Sequence, residues 1–270
     1  GLKPEPYAPR DIFLAYRLIS FFGLTSLQAS AELLTAELIA TGCPDRTLKL
    51  LLGAAGRGLD RKALRGLALD PELALISGQE RRGSNAFAVS QQRSRTGALL
   101  MGEFHMEVGK FPPTLYALHV DYADGGFYQG ISIPGLAWLS AGRTRELAHS
   151  YTYGHADNVD IRVPSQRPEL RRRVEQVKIR GGRDETWTFH DCEHGSLISA
   201  SPDKEPLAFL RWSGLAENHR DVAALHRLLD ARSVDEAEAL HREVRTISLE
   251  GIFADSAGDV ASVHTRQVDR

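Results

Sequence analysis

The sequence predicts an α+β fold in which a helical segment comes first and a many-stranded region follows. Stretches rich in Ala, Leu and Glu occur within residues 1–83, and short apolar or alternating stretches begin at Ser84. Helical stretches return only late, in HRDVAALHRLLDA and SVDEAEALHREV. Helices and strands that are segregated along the chain favour α+β over the alternating α/β class. We therefore expect a helical segment with a linker, 1–83, and a strand-rich core, 84–270.

Three helices are predicted in the first region. One covers 11–22 and follows Pro9, a residue common near helix starts, and a second follows Ser26 and stops near Gly42. The third lies in RTLKLLLGAAGRG. Over residues 58–83 the helical pattern weakens and ends in the polar run SGQERRG, which predicts an exposed, flexible loop.

The second region carries the alternating and apolar stretches of β-strands, separated by turn residues. The predicted strands lie in NAFAVSQ, GALLM, TLYALHVDY, FYQGISI, PGLAWLS, ELAHSYTY, VDIRV, ETWTFHD and PLAFLRW. The two late helices follow, and Ser233 is expected to cap the second of them, whose first turn is acidic. The final stretch, TISLEGIFADSAGDVASVHT, predicts a hairpin that turns at residues 256–259.

Composition narrows the possible partners. The 270 residues are 42% hydrophobic and 25% charged, which is ordinary for a globular protein, and the net charge of −2 gives no reason to expect nucleic acid or an anionic membrane. The sequence has no apolar run of about 18 residues, the length that spans a bilayer. Cys43 and Cys192 either form one disulfide or remain two buried thiols, and we favour the thiols. The first ten residues, GLKPEPYAPR, lack the pattern of a secretory signal, and the compartment stays open.

Three segments resemble the penicillin acylase family of N-terminal-nucleophile hydrolases. They are GSNAFAVSQQRSRTGALLMGEFHM, PGLAWLSAGRTRELAHSYTYGHADNVD and ISLEGIFADSAGDVASVHT. The resemblance implies a four-layer αββα sandwich, of which this chain would form a part with its N-terminal helical segment. It also implies that a zymogen-like precursor cleaves itself between Gly83 and Ser84, which leaves Ser84 as the nucleophile of an amide hydrolase.

The position of a serine at a new N-terminus has a chemical reason. A serine hydroxyl is a poor nucleophile at neutral pH and needs a base within hydrogen-bond reach. A free α-amino group, whose ordinary pKa is about 7.7–8, can be that base. Gly83 would permit a strained backbone at the scissile bond. The alternative is that Ser84 is an ordinary loop serine.

The resemblance assigns further roles. His105 falls where the family has a residue beside the nucleophile, although a strand-end histidine with a structural role is the alternative. Tyr153 matches the residue whose backbone N–H stabilises the oxyanion, and otherwise it is a core aromatic. Phe21, Phe22 and Phe87 correspond to the substrate pocket, and core packing explains them equally well.

Two segments suggest metal chemistry. The resemblance implies a structural calcium ion bound by Asp157, Val159 and Asp160, with Glu32 as a further ligand, because calcium takes 6–8 oxygen ligands. A solvated turn is the alternative. In HDCEHG, His190, Cys192 and His194 would share a strand face, but zinc sites usually use paired ligands from two segments. We favour a structural role for HDCEHG, and no organic cofactor is expected.

The resemblance also indicates what the chain lacks. In the family, a longer region beyond the final hairpin supplies an asparagine of the oxyanion hole and the remaining calcium ligands. We therefore expect a second polypeptide to complete the fold, with an acylated amine, β-lactam or peptide-like compound as substrate. The alternatives are a fragment of a longer precursor and a non-catalytic, partner-binding relative. The substrate, and with it a role in antibiotic biosynthesis or degradation, stays open.

Overall fold

The computed structural model describes residues 6–53, 60–73, 83–105, 114–136, 138–154, 157–215 and 219–265, apart from the side chains of residues 22–24. Helices and antiparallel strands both contribute, and the α+β class is confirmed. The chain forms two compact units. Unit 1 comprises Gly1–Thr25, Glu80–Asn158 and Ala216–Arg270, and unit 2 comprises Ser26–Gln79 and Val159–Leu215. This differs from a division at residue 83, because each unit combines helices from the first region with strands from the second.

The helices follow the predicted order. Their bounds are α1 Pro9–Ile19, α2 Ser26–Ala40, α3 Asp45–Leu52, α4 Arg61–Leu64, α5 His219–Arg227 and α6 Val234–His241. Proline starts α1 as expected, but the α-helix ends at Ile19 and continues as a π-helical segment, Ser20–Thr25. The predicted cap of α6 is confirmed, since the Ser233 side chain accepts the backbone N–H of Glu236 at 3.2 Å.

The thirteen strands of the described residues form three antiparallel sheets. Their bounds are β1 Ser84–Val89, β2 Leu99–Phe104, β3 Tyr116–Asp121, β4 Phe127–Ser132, β5 Ala141–Arg143, β6 Leu147–Tyr153, β7 Val159–Arg162, β8 Arg171–Val177, β9 Glu185–Cys192, β10 Gly195–Leu197, β11 Phe209–Trp212, β12 Leu249–Asp255 and β13 Val260–His264. The final hairpin, β12–β13, is confirmed. The strand expected in PGLAWLS is wrong: the described part of that stretch is turn and irregular backbone, and β5 starts only at Ala141.

Unit 1 is layered around a six-stranded sheet of order β13-β12-β6-β5-β4-β3. Alternate residues of β6 and β12, such as Tyr151 and Phe253, belong to a core that also contains residues of α1, α5 and α6. Tyr16 of α1 is fully buried there, and its hydroxyl donates to Asp221 at 2.9 Å. Helices therefore cover one face of the six-stranded sheet.

The two-stranded hairpin β1–β2 packs on the opposite face. Its antiparallel register runs from Ser84 opposite Phe104 to Val89 opposite Leu99. The inward residues of β1 and β2 contact β6 and β12. Unit 1 thus has a helical layer, a large sheet and a small sheet, which are three layers of the predicted αββα sandwich.

Unit 2 has its own core. Its five-stranded sheet has the order β7-β11-β10-β9-β8. Helix α2 packs on β7, and Leu33 and Ala36 of α2 are buried with Ile198 and Ala208. The hairpin β8–β9 lies at the end of this sheet, and most of its residues are exposed on both faces.

Two expectations from composition can be compared with the structure. Cys43 and Cys192 are both free, and they are half-buried rather than buried. Among the described residues, no helix has the length and apolar character needed to cross a membrane.

Candidate active site

Ser84 is the first residue of β1, and its side chain faces the six-stranded sheet. The Ser84 hydroxyl donates a hydrogen bond to Oγ1 of Thr152 on β6 at 3.0 Å. The Thr152 hydroxyl in turn donates to the Ser84 carbonyl oxygen at 2.7 Å. These two bonds join residues 68 positions apart and fix both the side chain and the backbone of Ser84. Ser84 is therefore a strand residue that is held by tertiary contacts.

The bond between Gly83 and Ser84 is held from the other side by His105. The backbone N–H of His105 donates to the Gly83 carbonyl oxygen at 2.8 Å. A Cβ atom at Gly83 would lie 3.1 Å from Nδ1 of the His105 ring, so glycine leaves room for the imidazole. The strained backbone expected at Gly83 stays a prediction.

The side chain of His105 belongs to a polar cluster on the exposed face of the hairpin. Its Nε2 lies 3.1 Å from Oε1 of Glu103, and Nδ2 of Asn85 donates to the same oxygen at 2.5 Å. The hydrogen bond from Asn85, and then that from His105, lower the pKa of the Glu103 carboxyl. His105 therefore contacts Gly83 through its backbone N–H, while its ring contacts Glu103.

A close approach between β2 and β6 sets the spacing of the site. A Cβ atom at Gly102 of β2 would lie 1.9 Å from Oγ of Ser150, which is fully buried on β6. Only glycine allows this distance. Ser150 and Thr152 share one face of β6, so the same approach positions Thr152 under Ser84.

A half-buried glutamate lies next to Thr152. Glu250 of β12 is the antiparallel partner of Thr152, and its side chain is 14% exposed. The hydroxyl of Ser262 donates to one carboxylate oxygen, and Nδ1 of His264 lies 2.5 Å from the other. Ser84, Thr152 and Glu250 therefore follow one another across β1, β6 and β12.

Tyr153 and the predicted pocket phenylalanines lie on three different elements. Tyr153 is half-buried, ends β6 and follows Thr152 directly. Phe87 is 51% exposed on the face of β1 opposite the Ser84 side chain, so the two do not line a common surface. Phe21 is half-buried in the π-helical segment, and the side chain of Phe22 lies outside the described residues.

The predicted calcium ligands already have protein partners. The Arg162 guanidinium donates to the Asp160 carboxylate at 2.8 Å, and Nε2 of Gln28 donates to the Val159 carbonyl oxygen at 3.1 Å. Glu32 is half-buried on α2, and Asp157 belongs to unit 1. Among the described residues, no three His, Cys, Asp or Glu side chains converge on one point. These contacts do not form a calcium-ligand set, and calcium stays a prediction.

The residues of HDCEHG take part in local contacts of unit 2. Asp191 accepts Ser196 Oγ at 2.7 Å and Arg173 Nε at 3.1 Å. The His194 ring lies beside Phe209, with 6.4 Å between ring centroids. These contacts give the segment a structural role in its sheet.

The sequence patterns did not single out Thr152, Gly102, Ser150 and Glu250. Alternation within ELAHSYTY would have placed Ser150 and Thr152 on one face. It could not show that β1 and β2 lie against that face, because the contact joins distant parts of the chain.

Comparisons with known proteins identify the family. The model of the family described as penicillin amidase matches residues 1–269. Acyl-homoserine lactone acylase QuiP of Pseudomonas aeruginosa is 26% identical over 94% of this chain and 35% of its own length. The protein of the same name from Pseudomonas putida is 28% identical over 94% of this chain and 34% of its own.

Among solved structures, the thermostable penicillin G acylase from Alcaligenes faecalis matches with a TM-score of 0.50 and 21% sequence identity. The match covers 57% of this chain and 30% of the acylase chain. This likeness concerns the fold. The chain spans about a third of the length of the curated relatives it matches.

Proposed function

This chain belongs to the penicillin amidase family, and from that premise we propose that it carries the nucleophile of an acylase that hydrolyses amide bonds. The nucleophile is Ser84. The observation that supports it best is the pair of hydrogen bonds between Ser84 and Thr152, together with the His105 N–H on the Gly83 carbonyl oxygen. Together they orient a hydroxyl and polarise a carbonyl at one peptide bond.

The first proposed step is cleavage of the chain itself. The Ser84 oxygen attacks the Gly83 carbonyl carbon, and the His105 N–H donates to the oxygen that becomes negative. The C–N bond then breaks, which leaves Gly83 as an ester on Ser84 and a proton on the released amine. Water hydrolyses the ester, giving a Gly83 carboxylate and Ser84 with a free α-amino group.

The second proposed step is turnover. The α-amine of Ser84 accepts the hydroxyl proton while the oxygen attacks the substrate amide. The backbone N–H of Tyr153 is the proposed donor to the tetrahedral oxyanion, a role that is worth roughly 3–4 kcal/mol where it has been measured in other enzymes. The leaving amine takes the proton, and water releases the acyl group from the ester on Ser84.

The proposed substrate is an acylated amine. The curated relatives are named acyl-homoserine lactone acylases, and the solved structure with a similar fold is a penicillin G acylase. Both names describe proteins that act on a compound with an acyl group on nitrogen. An N-acyl amine is thus the common class from which a substrate screen should begin.

We also propose that further polypeptide completes the site. The face of β1–β2 away from β6 exposes Phe87, Leu99 and Met101, which are 46–51% accessible. In the described structure β2 pairs only with β1, and a cleft of about 760 Å³ lies beside it, lined partly by Leu100 and Ile131. Additional strands on the edge of β2 would close the cleft, and a further layer would cover the exposed face of β1–β2.

The serine mechanism has a direct test. Intact-mass measurement of the assembled protein is expected to show cleavage between Gly83 and Ser84, and Ser84→Ala to abolish cleavage and turnover. Ser90→Ala, at the other end of the strand, is the matched control and should be cleaved normally. A single 29.8 kDa species in the assembled wild-type protein would refute the proposal and favour a non-catalytic relative.

The partner and the calcium ion have separate tests. Native mass spectrometry should show a second polypeptide bound in a fixed ratio, and an isolated chain with full activity would contradict the partner. Calcium is proposed on the sequence resemblance alone. It should raise the melting temperature of the wild-type protein and not that of Asp160→Asn.

A further inference from the structure

Glu250 lies where it can act on Ser84 without touching it. It opposes Thr152 in the register of β6 and β12, and directly opposed side chains in antiparallel strands have Cβ atoms about 4.5–5.5 Å apart. Thr152 contacts both the hydroxyl and the carbonyl oxygen of Ser84. One side chain therefore separates the Glu250 carboxylate from the residue at the cleavage point.

The carboxylate is fixed and largely shielded from water. Its side chain is 14% exposed, and Ser262 and His264 on β13 hold it in place. Burial of a carboxylate is costly unless other groups compensate the charge. A position for such a group between two packed sheets, one strand from Ser84, needs a physical reason beyond packing.

The other charged groups near Ser84 are more exposed. On β2, the side chains of Glu103 and His105 are 49% and 57% exposed and face away from β6. On β13, His264 is 68% exposed. The inward residues of β6, including Ser150 and Thr152, carry no charge. Water screens charges at exposed positions strongly, so Glu250 is the least screened of these charged groups.

We propose that Glu250 is a positioning residue whose carboxylate is the counter-charge for the α-ammonium group of Ser84 after cleavage. The inference rests on the proposed function, because the ammonium group exists only once the Gly83–Ser84 bond is broken. A nearby negative charge favours the protonated amine and so raises its pKa. Glu250 then holds the new N-terminus beside Thr152 and sets the lowest pH at which the free amine is available as a base.

The experiment measures the Ser84 α-amine directly in the assembled, cleaved protein. Its pKa is obtained from the pH dependence of acetylation by acetic anhydride, which is read by mass spectrometry at the N-terminal peptide. Glu250→Gln is expected to lower that pKa by about one unit. The acidic limb of the kcat/KM profile should move to lower pH by the same amount. A purely structural role of Glu250 would not shift either value.

Two further variants make the result specific. Glu146→Gln, just before β6 at its other end, removes a carboxylate from the same unit and should leave the α-amine pKa unchanged. His264→Arg keeps the Glu250 carboxylate but pairs it with a permanent cation, and should lower the α-amine pKa by roughly half a unit. This variant gives the answer if Glu250→Gln does not fold or is not cleaved.

The outcomes separate the inference from the proposed function. A wild-type protein that is never cleaved overturns both. Cleaved protein in which neither Glu250→Gln nor His264→Arg lowers the α-amine pKa overturns the role of Glu250 and leaves Ser84 as the nucleophile. A lowered pKa in either variant, with Glu146→Gln unchanged, supports Glu250 as the counter-charge.

Discussion

The hairpins β1–β2 and β8–β9 have nearly the same construction and very different surroundings. Both are antiparallel ladders, with six residue pairs in β1–β2 and seven in β8–β9. One face of β1–β2 packs on the six-stranded sheet, where Ser84 contacts Thr152. Most residues of β8–β9 are exposed on both faces. The first hairpin therefore depends on a supporting sheet, and the second depends mainly on its own cross-strand contacts.

The polar residues of the two hairpins differ in where their hydrogen-bond partners lie. In β8–β9, Arg173 binds Asp191 and Glu175 and lies 4.5 Å from the centroid of the Phe189 ring. All of these partners lie within the hairpin, and they stabilise it locally. In β1–β2, the partner of Ser84 comes from another layer. A sequence rich in reactive residues, such as HDCEHG, is thus less informative than one serine that is held by a second layer.

The largest effect is expected when acid weakens the core that supports β1–β2. His241 is buried between Tyr151 and Phe253, and burial lowers its pKa to about 4, while burial also lowers the pKa of His149. Because the ordinary histidine pKa is about 6.5, the folded state favours the neutral ring. The free energy of unfolding is therefore unaffected by His241 above pH 6.5. It falls as the pH drops towards 4, and His241 alone accounts for a loss of about 3 kcal/mol.

Urea unfolding at pH 7.5 and at pH 4 measures this loss. His241→Gln should reduce the difference in free energy of unfolding between the two pH values by about 3 kcal/mol. His119→Gln, which replaces an exposed histidine on β3, is the control and should leave the difference unchanged. An equal pH dependence in wild type and His241→Gln would show that this core is not the acid-sensitive support.

A smaller effect is expected at the contact between the two sheets. Gly102→Ala forces a methyl group against Ser150 and should lower the free energy of unfolding by about 2 kcal/mol. Gly181→Ala, in the turn of β8–β9, meets nothing within 4 Å and has a φ of +77°, so its cost of about 1 kcal/mol comes from the backbone alone.

Denaturant titration distinguishes the two causes. Ser150→Gly should recover part of the stability lost in Gly102→Ala, because it removes the atoms that clash. It should not recover any of the loss in Gly181→Ala. Equal recovery in both would contradict a local steric cause at Gly102.

Loss of the Thr152 hydroxyl should slow the self-cleavage reaction. Thr152→Val keeps the shape but removes the acceptor and donor for Ser84, and we expect cleavage between Gly83 and Ser84 to slow by at least about tenfold, or roughly 1.4 kcal/mol. Thr152→Ser should restore most of the rate. A time course of intact mass measures both, and equal rates in wild type and Thr152→Val would show that the hydrogen bonds do not assist cleavage.

The smallest effect is expected in β8–β9. Arg173→Ala removes two ion pairs, but the Arg173 side chain is 43% exposed, so the loss of stability should stay below about 1 kcal/mol. Arg172→Ala, on the other face of the hairpin, is the control. Urea unfolding that shows a loss above about 2 kcal/mol for Arg173→Ala would mean that β8–β9 is less independent than its exposure indicates.

The sequence alone was enough for features that depend on neighbouring residues. Helix propensity located α2, capping located the start of α6, and turn residues located the β12–β13 hairpin. The position of Ser84 at the start of a strand was also predictable, because alternation begins there. The strand expected in PGLAWLS failed, since a short apolar run does not distinguish a strand from an irregular buried segment.

Only the tertiary structure decided which residues meet. The contact between Ser84 and Thr152, the missing Cβ of Gly102 over Ser150, and the place of Glu250 beside Thr152 all join segments far apart in the chain. The assignment of α2 to a different unit from α1 is of the same kind. Local periodicity shows which face of a strand a residue occupies, but the element that packs against that face is selected by the folding of the whole chain.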